Sequence, residues 1–525
     1  MVEQKNNIYI GIELGSTRIK TVAIDDNNRV LASGSFVWEN KLIDGIWTYG
    51  MDEVKAGLKA SYNALKRDYK EKTGNSLNSP SAIGISAMMH GYIALDEDDN
   101  LLVPFRTWRN TITEEAASKL SDLFDFNIPQ RWTIAHLYEA MLKGEEHLKR
   151  VKKVFTLSSY VHYLLTGENV IGIGDASGMF PIDSSTYDWN KEYSTLFEKI
   201  SKDMGYDFSL SSLFPRVLRA GENGGYLTKE GSRILSDEDT EVGIPFAPPE
   251  GDAGTGMVAT NRVRVGGGNV SAGTSDFAMV VLSHMPGRHR ELDMVTTPSG
   301  LPVAMVHCNN CTSDINFYIS LFREFSRLIG SDIKDDEIFS LLYSSALNAE
   351  GKAGDYVSCN YYSGEGVTDF QRGIPLFLHS PSAPPSLSSF MRCHIYSALA
   401  TLSLGLEVLR KENIEIKSLL GHGGYFKSES GIRTLSAAAS TPVSVMETAG
   451  EGGAYGMAVL ASFLINKGEM SLEDYLDQKV FSDAVIKTYM ASDKEREDYA
   501  YFLSQYKKIL SVERKTLEVF CCLKS

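Results

Sequence analysis

A duplicated α/β fold of at least two domains is what this sequence predicts, on three observations. The stretch Ile8–Ile12 reads as an apolar strand, Gly15-Ser16-Thr17 as a tight turn, and Arg18–Ile24 as a second strand. The same arrangement returns at Asn269–Ala272, Gly273-Thr274-Ser275 and Asp276–Leu282. At 525 residues the chain also exceeds what one typical core organises. Glycine permits the sharp turn, exposed turn amides donate to phosphate oxygens, and the hydroxyls add further donors. Each hairpin by itself is an ordinary turn. Two of them, one in each half, suggest a fold that closes on a nucleoside triphosphate.

Charge and composition narrow the partners. A formal charge of −15 argues against nucleic acid and against an anionic membrane surface, which need clustered Lys and Arg. The opening Met1–Asn7 lacks the basic-then-apolar pattern of a secretory signal, and no apolar run is long enough to span a bilayer. Six cysteines in a chain of this length do not form a disulfide framework. The expected location is cytoplasmic.

Strands are expected at 8–12, 18–24, 29–36 and 82–87, followed by a hairpin of Tyr92–Leu95 and Leu101–Phe105 around a solvated Asp96–Asn100 turn. Helical patterns occupy 52–72, 113–124, 133–144 and 158–166, the last ended by Gly167. The Pro-rich stretch Ile244–Pro249 reads as a linker or hinge between domains 1–246 and 247–525. Long helices are expected at 386–412 and 452–465, and residues 470–525 read as charged amphipathic helices forming a packing extension. The run Leu402–Leu409 reads as the apolar face of a buried helix.

Among residues able to carry chemistry, Asp252 stands between small neighbours in Glu250-Gly251-Asp252-Ala253-Gly254. Nearby glycines let a carboxylate approach a ligand closely, although an Asp in that place also suits a helix cap. Glu13, at the end of the first strand, could serve Mg²⁺ through waters, or be a solvated turn residue paired with Arg18 or Lys20. The segment Leu419–Phe426 ends a strand in Gly421, Gly423 and Gly424 before a helical stretch from Ser428. Such a junction accepts a flat adenine ring or a phosphate, which makes Gly423, Gly424 and Phe426 candidates; a plain tight βα connection is the alternative. Cys308 and Cys311 make a Cys-x-x-Cys without a second pair at zinc spacing and without a thioredoxin-like context, so buried thiols are expected. Cys521-Cys522 offers no clear function.

The ordered set of motifs resembles the FGGY carbohydrate kinases of the actin, hexokinase and heat-shock-protein ATPase superfamily, most closely the xylulokinases. It comprises Gly11–Thr17, Met89-His90-Gly91, Trp108, Leu165–Glu168, Asp175-Ala176-Ser177-Gly178 and Trp189. It continues with Gly251-Asp252-Ala253, Ser271–Ser275, Tyr362–Glu365 with Arg372-Gly373, Gly423-Gly424 and Glu451–Gly456. The resemblance implies two RNase H-like (actin-like ATPase) α/β domains with an interdomain cleft, the first mainly for sugar and the second mainly for ATP. It further implies a small-molecule sugar partner, a requirement for ATP and Mg²⁺, and a homodimer.

By the same resemblance, Asp252 matches the general base and Glu13 the family's usual Asp serving Mg²⁺ and the phosphates, with one methylene more. Met89 and His90 match the pair that lies against a ketopentose, though a histidine after a strand is by default structural. Trp108 and Asn110 resemble a sugar-side Trp-Asn-Asp segment, interrupted by Arg109. Met88 stands where xylulokinases usually have Gln, and Ala253 where an Asn is often found. The phosphate residues are Gly15, Ser16, Thr17, Gly273, Thr274 and Ser275. The implied activity is phosphorylation of a ketopentose, D-xylulose first, with L-ribulose, L-fuculose and L-rhamnulose as rival substrates. An actin- or chaperone-type ATPase switch and a catalytically impaired sugar sensor are the rivals from other classes.

Overall fold

The fold is described from a computed structural model covering residues 7–237, 240–331, 333–446, 452–484 and 486–520. Glu451, Cys521 and Cys522, singled out above, lie outside the described residues. Contacts divide the chain into two compact units. One comprises Met1–Val263, Met294–Val303 and Thr448–Ala484, the other Arg264–Asp293, Ala304–Glu447 and Val485–Ser525.

The first unit is built on β1 (Tyr9–Leu14), β2 (Arg18–Ile24), β3 (Val30–Val37), β4 (Ala82–Ala87) and β5 (Glu250–Gly251), in spatial order β5-β4-β1-β2-β3. Strands β1, β2 and β3 form an antiparallel meander, while β4 and β5 add in parallel on the other side of β1. Ile10, Ile12, Leu14 and Ile19 are fully buried and share one core with Val54, Leu58, Tyr62 and Leu65 of the helix Met51–Thr73. Those helix positions recur at three and four residues, which is why the segment folds as an amphipathic helix against the sheet. The helix Gly452–Asn466 also packs here, although it lies more than four hundred residues beyond β1, the strand its backbone rests on. A β-carbon on Gly11 would stand 2.1 Å from Ala454 O and 2.3 Å from Ala458 N, so the helix backbone rests directly on β1.

The second unit repeats the plan. Its main sheet includes β6 (Gly267–Ala272), β7 (Asp276–Val281), β8 (Pro302–Cys308), β9 (Ser418–His422), β10 (Val443–Met446) and β11 (Ile486–Tyr489). Their order, β8-β7-β6-β9-β10-β11, reproduces that of the first sheet with β11 added at the edge. The β6–β7 pair is antiparallel and β9 and β10 add in parallel, as β4 and β5 do. The duplication expected from the two hairpins is therefore present in the sheets themselves.

Three local expectations differ from the structure. Ile93–Leu95 takes Lys153–Phe155 as its ladder partner, and the arm after the turn meets it less regularly, through bridges from Leu95 to Leu101 and Tyr92 to Arg106 and a bond from Leu102 N to Ala94 O. Pro104 removes one donor from that arm, and the Asp96 side chain draws in the amides of Asp98 and Asn100. The Pro-rich stretch Ile244–Pro249 is no free linker. It runs along β4 in the first unit, where Ile83 N donates to Pro245 O and Ala247 N to Ile83 O, and Phe246 and Ala247 are fully buried. Proline tolerates this because its carbonyl still accepts at a sheet edge. The 470–525 region contains a strand, β11, besides its long helix Asp493–Val519. Among the described residues no helix is long and apolar enough to cross a membrane.

Because main-chain atoms rather than a flexible side chain face Gly11, Gly11→Ala should cost about 1–3 kcal/mol of stability or more, the price of overpacking a site that cannot yield. Urea denaturation followed by circular dichroism measures it, and a loss under a few tenths of a kcal/mol would contradict the close approach.

Candidate active site

In the first unit the carboxyl groups gather where β1, β4 and β5 end. Glu13, next to last on β1, pairs in register with Ser86 on β4 and Lys20 on β2. Chain direction carries its side chain to the start of the helix Gly452–Asn466, where Oε2 accepts a hydrogen bond from Ala454 N at 3.2 Å. Gly453 makes room: a β-carbon there would lie 2.5 Å from Glu13 Oε1. A helix N-terminus favours a carboxylate, yet burial and the nearby Asp252 push the Glu13 carboxyl up to about 7.

Asp252 stands at the first position inside the helix Asp252–Ala259, with Gly251 as the cap residue. Its Oδ1 accepts from Met89 N at 3.2 Å and from Ala253 N at 2.9 Å. Thr255, one turn on, donates back to Gly251 O and shares a 3.0 Å contact with the Ser86 hydroxyl, fixing this turn on β4. Burial raises the Asp252 carboxyl to about 6 against the pull of its amide donors. Asp252 thus lies one position inside the helix rather than at the cap the sequence suggested, with a neighbouring acid in Glu13.

Two further acids complete the cluster, and sequence reasoning assigned neither a role. Asp175 is buried; its Oδ2 accepts from Thr156 at 2.6 Å and from Ser158, while no partner reaches Oδ1. Glu250 spans the amides of Gly174 and Asp175 at 3.3 and 3.0 Å. Burial, with Asp252 acting on Asp175 and Asp175 acting on Glu250, raises these carboxyls to about 7 and about 8. Each residue had been read within a motif, but a polar residue among small ones looks like a turn until the strand ends converge.

The remaining first-unit candidates separate into two groups. Met89 packs against Gly251 and Gly178 and hands its amide to Asp252. His90 is buried, holds φ +70°, and its Nδ1 lies 3.0 Å from Gly178 O. A carbonyl can only accept, so Nδ1 carries the proton and Nε2 of a neutral ring is the acceptor nitrogen. Its ring stacks on Trp132 at 6.4 Å. Trp108, by contrast, is 37% exposed, and the Asn110 amide is spent on Trp47, accepting from its N at 2.9 Å and donating to its O at 2.8 Å. Arg109 lies 3.8 Å over the Trp47 ring.

The two glycine–hydroxyl turns share one device. In the first unit Gly15 O accepts from Trp38 Nε1, Ser16 O from the Tyr49 hydroxyl and Thr17 O from Trp38 N. In the second, Gly273 O accepts from Thr312 N and Oγ1, Thr274 O from Cys311 N, and Ser275 O from Gly273 N. Every carbonyl of both turns is occupied by protein, which leaves donors to face an anion. Gly423 approaches β6 so closely that a β-carbon would lie 2.5 Å from Ala272 O, while open space surrounds Gly424. Phe426 is buried and its ring packs under Gly421. Cys308 and Cys311 are buried thiols, pushed well above the usual thiol range by burial.

Residues 8–257 match the model of the N-terminal domain of the FGGY family of carbohydrate kinases, and residues 268–465 that of its C-terminal domain. A xylulose kinase of Haemophilus influenzae is 21% identical over 481 residues, which span 88% of this chain and 92% of that one. The crystal structure of xylulose kinase from Rhodospirillum rubrum superposes with a TM-score of 0.79 at 17% identity, covering 98% of this chain and 99% of that one. Plasmodium falciparum glycerol kinase with ADP gives 0.76 at 16% identity, covering 97% and 98%. The fold is thus the two-domain actin-like ATPase fold that the motifs implied.

A carboxyl whose folded value is raised keeps its proton in the native state after the unfolded chain has lost it. Stability is then fully present below about pH 4 and falls as pH rises toward the folded value, about 7 for Asp175, at roughly 1 kcal/mol per pH unit. Asp175→Asn should flatten this decline between pH 5 and 7.5 in urea titrations. An unchanged slope would mean that the Asp175 carboxyl titrates as an ordinary one.

Proposed function

This chain belongs to the FGGY family of carbohydrate kinases, and from that premise we propose that it phosphorylates a ketopentose, D-xylulose first, with Asp252 as the general base. It is a sugar phosphotransferase; the substrate and the residue roles are the proposal. The observation that carries it is the Asp252 carboxyl, oriented by two backbone amides and raised to about 6, close to the pH at which a base must be free to accept. Similarity to proteins named xylulose kinase supports the choice of sugar.

In this reading Asp252 accepts the proton of the attacked sugar hydroxyl as its oxygen forms the bond to the terminal phosphorus of ATP. His90, its ring oriented by Nδ1 on Gly178 O, stands on the sugar side of this reading. The Gly15 and Gly273 amides close their own turns on Arg18 O and Ser275 O, which leaves the hydroxyls and amides of Ser16, Thr17, Thr274 and Ser275 as the phosphate donors of this reading. Among the described residues no three His, Cys, Asp or Glu side chains converge as a chelating set. Glu13, raised by burial and by Asp252, and Asp252, raised by burial, are nonetheless neighbouring acids, which fits Mg²⁺ held largely by water and phosphate oxygens. Bound there, Mg²⁺ would neutralise phosphate charge.

Asp252→Asn should leave Mg-ATP binding intact and lower sugar phosphorylation by about 10²–10⁴-fold. In the parent enzyme kcat/KM should rise with pH through about 6 as the base loses its proton. A coupled ADP-release assay across ketoses and polyols checks both. Near-normal turnover by the variant would remove Asp252 as base, and consumption of ATP indifferent to every sugar would sink the kinase assignment for this chain.

A further inference from the structure

Glu250 takes no part in the chemistry above, although it is buried and directly precedes Gly251-Asp252. Its carboxyl lies against main chain on two sides. Oε1 accepts from Gly174 N at 3.3 Å and Oε2 from Asp175 N at 3.0 Å. The absent side chains of Gly172 and Gly174 permit this, since β-carbons there would stand 2.5 Å from Oε1 and 2.3 Å from Oε2. On the other side, a β-carbon at Gly254 in the helix Asp252–Ala259 would lie 3.5 Å from Oε2. The short helix Ile173–Ala176 follows Gly172, which has no side chain to cap it, so Glu250 supplies from β5 the acceptors its first amides need.

The segment held in this way ends on His90. Gly178 N donates to Asp175 O at 3.0 Å, and His90 Nδ1 donates to Gly178 O at 3.0 Å. The ring lies close on Gly178, where a β-carbon would come 2.6 Å from Nδ1 and 2.8 Å from Cε1. Ser177 Oγ donates to Gly174 O at 2.6 Å and accepts from Thr296 N at 2.9 Å, while the Asp175 carboxyl accepts from Thr156 and Ser158. Of these anchors only Glu250 sits on the strand that leads into Asp252.

We propose that Glu250 is a positioning residue for the sugar side of the site: its carboxyl sets the Ile173–Gly178 segment against the Asp252 helix, and the Gly178 carbonyl in turn fixes the ring orientation and tautomer of His90. The inference rests on the reading that places His90 on the sugar side. Two neighbouring amides aimed at one place need two acceptor atoms, which a carboxyl offers on a single group. Asp252 holds the adjoining residue directly, accepting from Met89 N at 3.2 Å. Met89-His90 is therefore gripped from both ends of Glu250-Gly251-Asp252, and a shift at either contact moves the imidazole relative to the base. His90 also holds φ +70°, a conformation that persists in a non-glycine residue where its surroundings impose it.

Glu250→Gln tests this in the full chain, because it keeps the size, removes one acceptor and turns an N–H toward an amide. Glu250→Asp keeps both oxygens but withdraws them by a methylene, and guards against one variant failing to fold. Two readouts are taken: the ring-nitrogen NMR signals of His90, assigned with a His90→Gln sample, and kcat and KM for Mg-ATP and for the preferred sugar of the ADP-release panel. The parent should carry its proton on Nδ1, whereas the folded variants should show a mixture of both tautomers. KM for the sugar should rise about ten- to hundredfold with KM for Mg-ATP unchanged. Damage to folding alone would lower kcat through the amount of active enzyme and leave both KM values in place. An Nδ1–H tautomer as well fixed in both folded variants as in the parent would overturn the proposal, and this readout needs no turnover. A released tautomer with KM for the sugar unchanged would leave Glu250 as the support of His90 and refute the sugar-side placing on which the inference rests.

Discussion

The active-site half of this molecule depends on one close approach, the helix Gly452–Asn466 lying with its backbone on β1 at Gly11. No side chain separates the two, so the start of that helix falls beside the end of the strand, where Glu13 stands. A carboxylate there takes the Ala454 amide, and the absent side chain of Gly453 leaves space for its longer reach. The same helix crosses Asp252–Ala259 at Gly456, where a β-carbon would meet Thr255 O at 2.0 Å. Position of Glu13, position of Asp252 and the seating of both helices are thus consequences of backbone packed on backbone at glycine.

What that packing creates is costly: four carboxyl groups raised by burial and by one another, with amides as their main compensation. Structural economy alone would not assemble them, since removing an uncompensated buried acid is often neutral or stabilising. Raised carboxyls in one place are common where a protein binds a cation or moves a proton, the roles proposed above for Glu13 and Asp252. The substitution of Glu for the family's usual Asp at position 13 belongs to this economy. The additional methylene is absorbed at the helix start by Gly453, so the longer side chain is seated rather than strained.

Much of this was legible in the chain. Apolar alternation and the two glycine–hydroxyl turns marked β1, β2, β6 and β7, and their repetition announced the duplicated sheets. Asp252 stood out because glycines surround it. Asp175, Glu250 and Asp276 did not, because an acid next to small residues carries no sign of what will pack around it; convergence comes from strand ends distant in sequence. The Ile244–Pro249 stretch misled for a related reason. Proline signals a break in local hydrogen bonding, yet it places no limit on accepting bonds from a neighbouring strand, and β4 uses that capacity. The helix Gly452–Asn466 was legible as a helix, but its membership of the first unit was not, since an evenly apolar helix does not advertise which sheet it will cover.

The two hairpins, aligned by their turns, show how one plan supports unlike roles. Glu13 of β1 corresponds to Ser271 of β6, each two residues before the turn glycine, and their parallel neighbours are Ser86 and His422. Arg18, exposed after the first turn, corresponds to the buried Asp276 after the second. Both turns keep every carbonyl occupied by protein donors, so neither presents an acceptor to an anion. The difference lies in where the acid stands. Beside the first turn it remains half-buried on a strand end next to Asp252, where it can meet a cation. Beside the second it is enclosed within the protein.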